Sequence, residues 1–186
     1  GFRDSVLSES FNELGRIAMV MSETFNDVHA QGVDLNNNFG GAFFSDINDP
    51  QRILDRVSGS INNSLPDDRV ISLEVMDSGQ LTSSNYSLEI TSASGLYSIV
   101  RLSDGAEVAT GTVSTVALPV TIEFDGLRLG FQQGSFQEGD RYLIQPTRTA
   151  ARDFDTEIFR AEELAFASPL ATDTDIGNTG GGSISA

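Results

Sequence analysis

Residues 7–28 read LSESFNELGRIAMVMSETFNDV, and this stretch carries the clearest periodicity in the chain. Its apolar residues are separated by alternating steps of four and three, which places them on one face of a helix. Over about three heptads, such a seam predicts a partner helix along most of its length. We therefore expect a long helix over residues 1–31 whose packing surface consists of Leu7, Phe11, Leu14, Ala18, Met21, Phe25 and Val28.

Three residues bear on how this helix holds together and where it ends. Gly15 lies inside the helix and weakens it by only about 1 kcal/mol relative to alanine. His29 falls in the last turn, where a partly positive side chain suits the helix dipole. Gly32 follows and can supply a left-handed cap. We therefore expect the helix to end near residue 31.

A second helical stripe is predicted near the other end of the chain. Phe154, Ile158, Ala161 and Ala165 repeat the spacing of four, three and four. The spacing predicts a helix over residues 152–168, with Phe154 and Ile158 on its packing face. Two helices with matching stripes can pack together as a stalk.

The sequence between the two predicted helices changes to a period of two. Seven short runs rich in β-branched and aromatic residues predict strands. Asp104-Gly105 and Asp125-Gly126 stand between such runs, as tight hairpins require. The predicted strands cover residues 70–76, 85–91, 96–102, 106–110, 120–124, 127–131 and 142–145.

These patterns predict an α+β fold in which paired long helices form a coiled-coil-like stalk with an inserted, mainly antiparallel β domain. The stalk comprises residues 1–31 and 152–168. The β-rich domain comprises residues 70–151. Between them, residues 32–69 are expected to form an ordered connecting loop with a short helix over residues 50–57.

Composition limits the classes of function. With 186 residues, 39% of them hydrophobic, the chain can bury a sizeable core. Its formal net charge of −16 repels phosphate backbones and anionic lipids, so neither nucleic acid nor a membrane is expected as a partner. It contains no cysteine and therefore no disulfide or thiolate chemistry. Residues 169–186 are rich in Thr, Asp, Gly and Ser, which predicts a flexible tail.

One segment has the spacing of a calcium loop. Asp34-Leu35-Asn36-Asn37-Asn38 places oxygen ligands at the required intervals. However, Phe39 stands where the tight-turn glycine belongs, and Ser45 stands where the bidentate glutamate belongs. We therefore favour an Asx-rich turn that leaves the helix, and we expect no metal and no other cofactor.

Candidate catalytic residues are few. His29 is the sole histidine, and a lone histidine in the last turn of a helix is more typical of a cap than of a general base. The carboxylate pairs Glu162-Glu163 and Asp67-Asp68 are sequence neighbours that do not share a face, as expected for solvated charge. The sequence therefore indicates that this protein is not an enzyme.

Several motifs resemble those of a known family. The first block includes Phe25-Asn26, His29, Gly32 and Asp34-Leu35, and it ends with Gly40-Gly41-Ala42-Phe43-Phe44. Further matches follow in order: Leu81-Thr82 with Tyr86, Arg101-Leu102-Ser103-Asp104-Gly105, Phe124-Asp125-Gly126-Leu127, Gly139-Asp140 with Gln145-Pro146, and Ala165-Phe166-Ala167-Ser168-Pro169. In these residues the chain resembles the flagellar hook-associated proteins that join hook to filament, as a central fragment that lacks both terminal regions.

The resemblance implies a secreted structural protein of the bacterial flagellum that is extracellular, serves motility and assembles with itself. Its partners in the full-length form would be other copies and the neighbouring axial proteins on the hook and filament sides. The fragment alone is expected to be monomeric, because the terminal helices that make most subunit contacts in the family are missing. The resemblance implies no catalytic or cofactor residues.

Three alternatives stay open at this point. An adhesin or binding module would present a concave site among residues 77–84, 103–119 or 132–140. Another axial subunit, such as the hook or filament protein, is a close relative of the favoured interpretation. A carbohydrate-acting hydrolase would need two carboxylates about 5 to 10 Å apart in a cleft.

Overall fold

The computed structural model describes residues 2–114 and 116–168, and within these ranges the side chains from Leu7 onward. The predicted tail, residues 169–186, lies outside the described residues. The helices are α1 (Phe2–Gln31) and the one-turn α2 (Arg52–Asp55), with short 3₁₀ turns at Ser78–Gln80 and Ala161–Glu163. The strands are β1 (Val57–Gly59), β2 (Val70–Val75), β3 (Tyr86–Ile90), β4 (Leu96–Arg101), β5 (Glu107–Thr112), β6 (Val120–Phe124), β7 (Leu127–Gln133) and β8 (Arg141–Ile144).

The strands form two antiparallel sheets. One sheet has five strands in the order β1-β8-β3-β4-β5, and the other has three strands in the order β2-β7-β6. The α+β class and the mainly antiparallel character of the middle of the chain are therefore confirmed. No helix in the described part of the chain has the length and apolarity needed to cross a membrane.

The inner faces of the two sheets share one hydrophobic core. Alternate residues of each strand point inward, as in β3, where Tyr86, Leu88 and Ile90 are all fully buried. Aromatic pairs connect the sheets: the rings of Tyr97 and Phe131 lie 5.0 Å apart. Each such buried side chain stabilises the fold by about 1.5 to 3 kcal/mol relative to exposure.

The predicted strands coincide with β2 to β8 to within two residues at each end, because both alternation and turn chemistry mark them. The hairpin between β6 and β7 shows this most clearly. Asp125 and Gly126 have φ of 46° and 75°, and these two positive angles are typical of the tight turn that Asp-Gly favours. The resulting register pairs Phe124 with Leu127 and Val120 with Phe131.

A polar network ties this hairpin to the five-stranded sheet. The Arg101 guanidinium donates hydrogen bonds to both oxygens of Asp125, at 2.8 Å each, and the Tyr86 hydroxyl donates to the same carboxylate at 2.7 Å. Burial raises the pKa of Tyr86 to about 12, so its hydroxyl keeps the proton that it donates. The network stabilises the relative position of the two sheets at one end of the sandwich.

The connecting loop contains a strand that the sequence did not predict. β1 has only three residues, too few to show alternation, and it extends the five-stranded sheet by pairing Val57 with Ile144. Arg56, just before β1, is buried and donates to the carbonyls of Leu73 (2.9 Å) and Ile47. Burial lowers the pKa of Arg56 to about 10. These bonds order the loop over the three-stranded sheet.

The predicted second helix over residues 152–168 is wrong. This segment is irregular apart from the 3₁₀ turn Ala161–Glu163. Its backbone groups instead bond to the segment that follows α1: Val33 N–H donates to Ala167 O at 2.8 Å, and Glu157 N–H donates to Phe43 O at 2.9 Å. Because these carbonyls and amides are used between segments, they are not available for the internal bonds of a helix.

A buried ion pair joins the connecting loop to the turn before β8. Arg69 Nη1 lies 2.7 Å from Asp140 Oδ2, and each side chain is at most 2% exposed. Asp140 also accepts hydrogen bonds from the Ser64 and Gln137 amides. Burial alone would raise the pKa of Asp140, but these bonds and the charge of Arg69 outweigh it and hold that pKa below its usual range.

Asp140→Asn should lower the free energy of unfolding at neutral pH by about 3 to 5 kcal/mol, because it leaves Arg69 without its buried counter-charge. The lowered pKa of Asp140 stabilises the native chain above the pKa of an unfolded aspartate, about 3.9, and this contribution is lost as the pH falls below that value. The variant should therefore lose less stability on acidification. Urea unfolding at several pH values measures both effects.

The matched control is Asp67→Asn, because Asp67 also lies near Arg69 but is 91% exposed. This exposed pair should contribute no more than about 1 kcal/mol. Equal effects of the two substitutions would show that the buried pair has no special role.

Candidate assembly surface on the long helix

The face of α1 that packs against the rest of the chain is not the predicted apolar seam. It is offset from the seam by one residue and is mostly polar or small. At Gly15, an added Cβ would lie 1.8 Å from the Thr147 carbonyl oxygen, so the helix backbone itself contacts the β8 side of the molecule. The packed face consists of Asn12, Gly15, Met19, Ser22, Asn26 and His29.

Hydrogen bonds attach this polar face at both ends. Near the start of α1, the Asn12 amide donates to Ser83 O at 3.0 Å and to Asn85 Oδ1 at 2.9 Å. Near the end, the side-chain Nδ2 of Asn26 donates to Phe44 O at 3.0 Å. The side-chain Oδ1 of Asn26 accepts hydrogen bonds of 2.8 Å from the backbone N–H groups of Phe43 and Phe44. The orientation of α1 about its own axis is therefore fixed by directional bonds.

His29 is a fully buried bridge and not an exposed cap. Its Nδ1 lies 2.8 Å from Gly41 O, and its Nε2 accepts a hydrogen bond of 2.9 Å from the Ala165 amide. These two bonds require the neutral tautomer with the proton on Nδ1. The side chain thereby connects the helix to both segments that cover its end.

The predicted left-handed cap at Gly32 is also wrong. Gly32 has no positive φ, and a Cβ there would lie 1.7 Å from the Ala165 carbonyl oxygen. The glycine is needed for the close approach of the last segment. Gly40 serves the same purpose, since a Cβ there would lie 2.6 Å from His29 Nδ1.

An aromatic cluster surrounds His29 and reaches the surface of α1. Phe25 lies 5.8 Å from Phe43 and 5.6 Å from Phe44, measured between ring centroids. Phe44 in turn packs on Phe154 at 4.2 Å, and Phe166 lies 5.5 Å from His29. Two predicted packing residues, Phe25 and Phe154, are thus brought together through Phe44.

The apolar seam itself faces outward. Within the described part of the chain no second helix covers it, and six of its seven residues are 40–54% exposed. The exception is Ala18, which is buried and lines a small cavity together with Phe154. Ile17, 43% exposed, belongs to the same surface and was missed because it lies outside the four-three spacing. This outer stripe consists of Leu7, Phe11, Leu14, Ile17, Met21, Phe25 and Val28.

The other predicted packing residues are separate from this stripe. Ile158 is half-buried in the segment after Phe154 and, unlike Phe154, is not part of the aromatic cluster.

The outer stripe is a row of contiguous exposed apolar side chains, and such rows mark contact sites more often than free surface. The outer stripe is therefore the candidate functional surface of the chain.

The Asp34 segment forms the turn that the sequence favoured. Asp34 Oδ1 accepts hydrogen bonds of 2.8 Å from the Asn36 and Asn38 amides, and Asn37 has a φ of 65°. These hydrogen bonds stabilise the charged carboxylate and so hold the pKa of Asp34 below its usual range. The bond from the Asn38 amide has the larger effect. The carboxylate is thus occupied by its own loop.

A polar cleft of about 390 Å³ lies between the first half of α1 and the two turns at residues 83–85 and 102–103. Ser83, Ser84 and Ser103 line it, and they belong to two of the segments in which a binding module would present a site. Ser84 is held internally, because its hydroxyl donates to Asn85 O and accepts from the Ser103 amide. The cleft borders the hydrogen bonds of Asn12, which attach the helix.

This arrangement is that of a structural protein: a long helix held by a polar face, an apolar stripe left outside, and a β sandwich at its side. Two family models match the chain. The one described as the flagellar hook-associated protein FlgK helical domain matches residues 1–44, and the one described as the flagellar hook-associated protein 1, D2-like domain matches residues 60–146. Both models describe the flagellar hook-associated protein 1 family and together they match most of the chain, which therefore belongs to that family.

Individual relatives agree with this assignment. The chain is 28% identical to flagellar hook-associated protein 1 of Salmonella typhimurium, over 94% of this chain and 29% of that protein. It is 28% identical to the protein of that name from Escherichia coli K12, over 90% of this chain and 28% of that protein. The solved structure of the flagellar hook junction protein FlgK from Burkholderia pseudomallei aligns with a TM-score of 0.70 and 27% identity, over 88% of this chain and 27% of that one. The chain thus spans less than a third of these relatives.

The motifs that carried the resemblance occupy structural positions. Arg101 and Asp125 belong to two separate motifs and form the ion pair between the sheets. His29 and Phe43 belong to the first block and Phe166 belongs to the last motif, and all three meet in the aromatic cluster at the end of α1. The sequence signature therefore corresponds to the contacts that hold the helix and the two sheets together.

Gly15→Ala separates helix propensity from packing. Propensity alone predicts a gain of about 1 kcal/mol. Because the new Cβ would collide with the Thr147 carbonyl, we expect a loss of about 1 to 3 kcal/mol instead. Thr24→Ala, at an exposed position of the same helix, should be neutral or slightly stabilising. Thermal melting of both variants decides between the two expectations, and a raised midpoint for Gly15→Ala would contradict the close contact.

Proposed function

We propose that this chain is the central part of a protein that forms the junction between flagellar hook and filament, with a structural role and no catalysis. The single observation that carries this proposal is the outer stripe, an apolar helix face left exposed while a polar face attaches the helix to its own chain. A face of that composition favours packing against other helices, as axial assemblies need. The family membership supports the same role.

The outer stripe fits a coiled-coil-like partner. Leu7, Leu14, Met21 and Val28 recur every seven residues, and Phe11 and Phe25 lie fourteen residues apart between them, with the buried Ala18 at the position midway. This heptad repeat is the pattern that accepts a second helix along its length. Since residues 152–168 do not form that helix, the partner helix of the stalk comes from outside residues 2–168, in the longer protein or in a neighbouring copy.

The proposed partners are other copies of the full-length protein and the neighbouring axial proteins on the hook and filament sides. The full-length protein is secreted and extracellular, as a component that assembles beyond the cell surface must be. The 186-residue chain alone is proposed to be monomeric, because it spans less than a third of the length of its relatives and so offers only part of the contact surface of the full-length protein. The two family models and the relatives are all named as hook-associated proteins, which favours a junction protein over a hook or filament subunit.

The division of the chain follows this role. Residues 1–31 belong to the stalk, and residues 70–151 form a β-rich domain beside it. Residues 32–69 connect the two, with β1 and Arg56 fastening the connection to the sheets.

Leu14→Asp in the full-length protein should impair junction formation and motility, because it places a charge where the proposed partner helix packs. Burying a leucine stabilises a contact by about 1.5 to 3 kcal/mol, and a buried unpaired charge adds a further penalty. Thr24→Asp puts the same charge at an exposed polar position of α1 and should leave motility intact. Swimming assays and electron microscopy of isolated flagella measure the difference.

The fold of the 186-residue chain provides the complementary readout. Leu14 is 53% exposed in it, so Leu14→Asp should leave the strand signal in circular dichroism and the melting midpoint nearly unchanged. Motility equal to that of the parent would show that the outer stripe does not carry assembly.

A further inference from the structure

Residues 161–168 form a covering segment that is held at the end of α1 by few contacts. Within this segment Ala165 alone is buried. Two main-chain hydrogen bonds fasten it to the residues after α1, from Val33 N–H to Ala167 O at 2.8 Å and from Leu35 N–H to Glu162 O at 3.2 Å. A third hydrogen bond, of 2.9 Å, runs from the Ala165 amide to Nε2 of His29 and links the covering segment to α1 itself.

The hydrogen bond to His29 requires a neutral imidazole. Its Nδ1 donates a proton to Gly41 O, 2.8 Å away, which leaves the lone pair of Nε2 for the Ala165 amide. A doubly protonated ring carries an N–H on Nε2 as well, and this N–H would point at the Ala165 N–H. Two donors cannot share a hydrogen bond, so protonation of the ring removes the bond.

His29 is also the side chain of this protein that ordinarily changes its charge between about pH 5 and pH 8. It is the sole histidine, and the chain contains no cysteine. Aspartate and glutamate side chains in water titrate near pH 4. A change of structure in mildly acidic solution therefore points to this residue.

No charge beside the ring compensates for its protonation. His29 is fully buried, and no carboxylate in the described part of the chain forms an ion pair with it. Three elements pack around the ring, namely α1, residues 32–44 and the covering segment. Their charged side chains nearest in sequence are exposed or bound elsewhere: Asp27, Asp34, Glu162, Glu163 and Arg160. The rings of Phe43 and Phe166 instead flank His29, each 5.5 Å away between ring centroids.

We propose that His29 is a pH-sensitive latch, whose protonation below about pH 6.5 releases the covering segment from the end of α1 while the β sandwich stays folded. The released histidine binds a proton that the closed site excludes, so acidification favours the released form. The closed form is therefore most stable above about pH 6.5 and loses stability as the pH falls below that value. The sandwich does not respond, because arginine and carboxylate groups hold its ends and keep their charges at about pH 5.

Release of the covering segment uncovers aromatic surface beside the outer stripe. Phe166 of the covering segment lies 6.0 Å from Phe43, and Phe43 lies 5.8 Å from Phe25, a member of the stripe. When Phe166 leaves, Phe43 becomes accessible next to Phe25. The latch thus controls how far the apolar surface of α1 extends, and it operates in the chain alone, independently of the proposed junction role.

Hydrogen exchange of the isotope-labelled 186-residue chain, followed by NMR, tests the latch. The protection of the Ala165 amide, corrected for the intrinsic exchange rate at each pH, should fall at least about tenfold between pH 7 and pH 5. The Leu88 amide in the central strand β3 should keep its protection over the same range.

His29→Gln is the matched variant, because its carboxamide oxygen can accept from the Ala165 amide in place of Nε2 and takes up no proton. In this variant the protection of Ala165 should be independent of pH. An equal loss of protection in His29→Gln and the parent would assign the loss to another group and overturn the proposal.

The ring nitrogens of His29 give a second measurement that needs no variant and decides the matter if His29→Gln does not fold. Their nitrogen-15 shifts should show the proton on Nδ1 alone at about pH 8, and protons on both nitrogens once Ala165 has lost its protection. Unchanged protection of Ala165 down to about pH 5 would contradict the latch. A doubly protonated ring with Ala165 still protected would contradict it as well.

Discussion

The rest of the structure depends on how closely the backbone of α1 approaches the segments behind it. Glycines at positions 15, 32 and 40 permit contacts that no side chain would allow, against Thr147, Ala165 and His29. Where backbone segments approach this closely, their buried N–H and C=O groups need hydrogen-bond partners. Polar side chains of α1 provide some of these partners, and the buried face of the helix is therefore polar. The apolar residues of the helix are consequently displaced to the outside.

The β sandwich supports this attachment from the other side. Its sheets share a core of aliphatic and aromatic side chains, and two ion pairs hold its ends: Arg101 with Asp125, and the more deeply buried Arg69 with Asp140. Asn12 bonds to the segment before β3, and Gly15 contacts the segment after β8. Since β3 and β8 are paired neighbours in the five-stranded sheet, the two contacts of the helix lie side by side. Helix, loops and sandwich are thereby coupled through specific polar contacts.

Much of this fold follows from local sequence. The strands were predictable because alternation and Asp-Gly turns specify them together, whereas β1 was not, since three residues show no period. The four-three spacing of Phe154, Ile158, Ala161 and Ala165 predicted a helix wrongly. Phe154 and Ala165 are separate anchors, one on Phe44 and the other beside His29, and hydrogen bonds to other segments keep the backbone between them irregular, with a single 3₁₀ turn. Six of the seven members of the outer stripe were found from their spacing, all except Ile17. The outward direction of the stripe depends on the glycine contacts of the neighbouring face, which spacing does not report.

The order of the strands has a mechanical consequence. β1 and β8, the first and last strands of the sandwich, pair directly, with Val57 opposite Ile144. The chain therefore enters and leaves the sandwich at neighbouring points. A force that separated residues 57 and 144 would open the short β1–β8 pair one hydrogen bond at a time, before it reached the central strands.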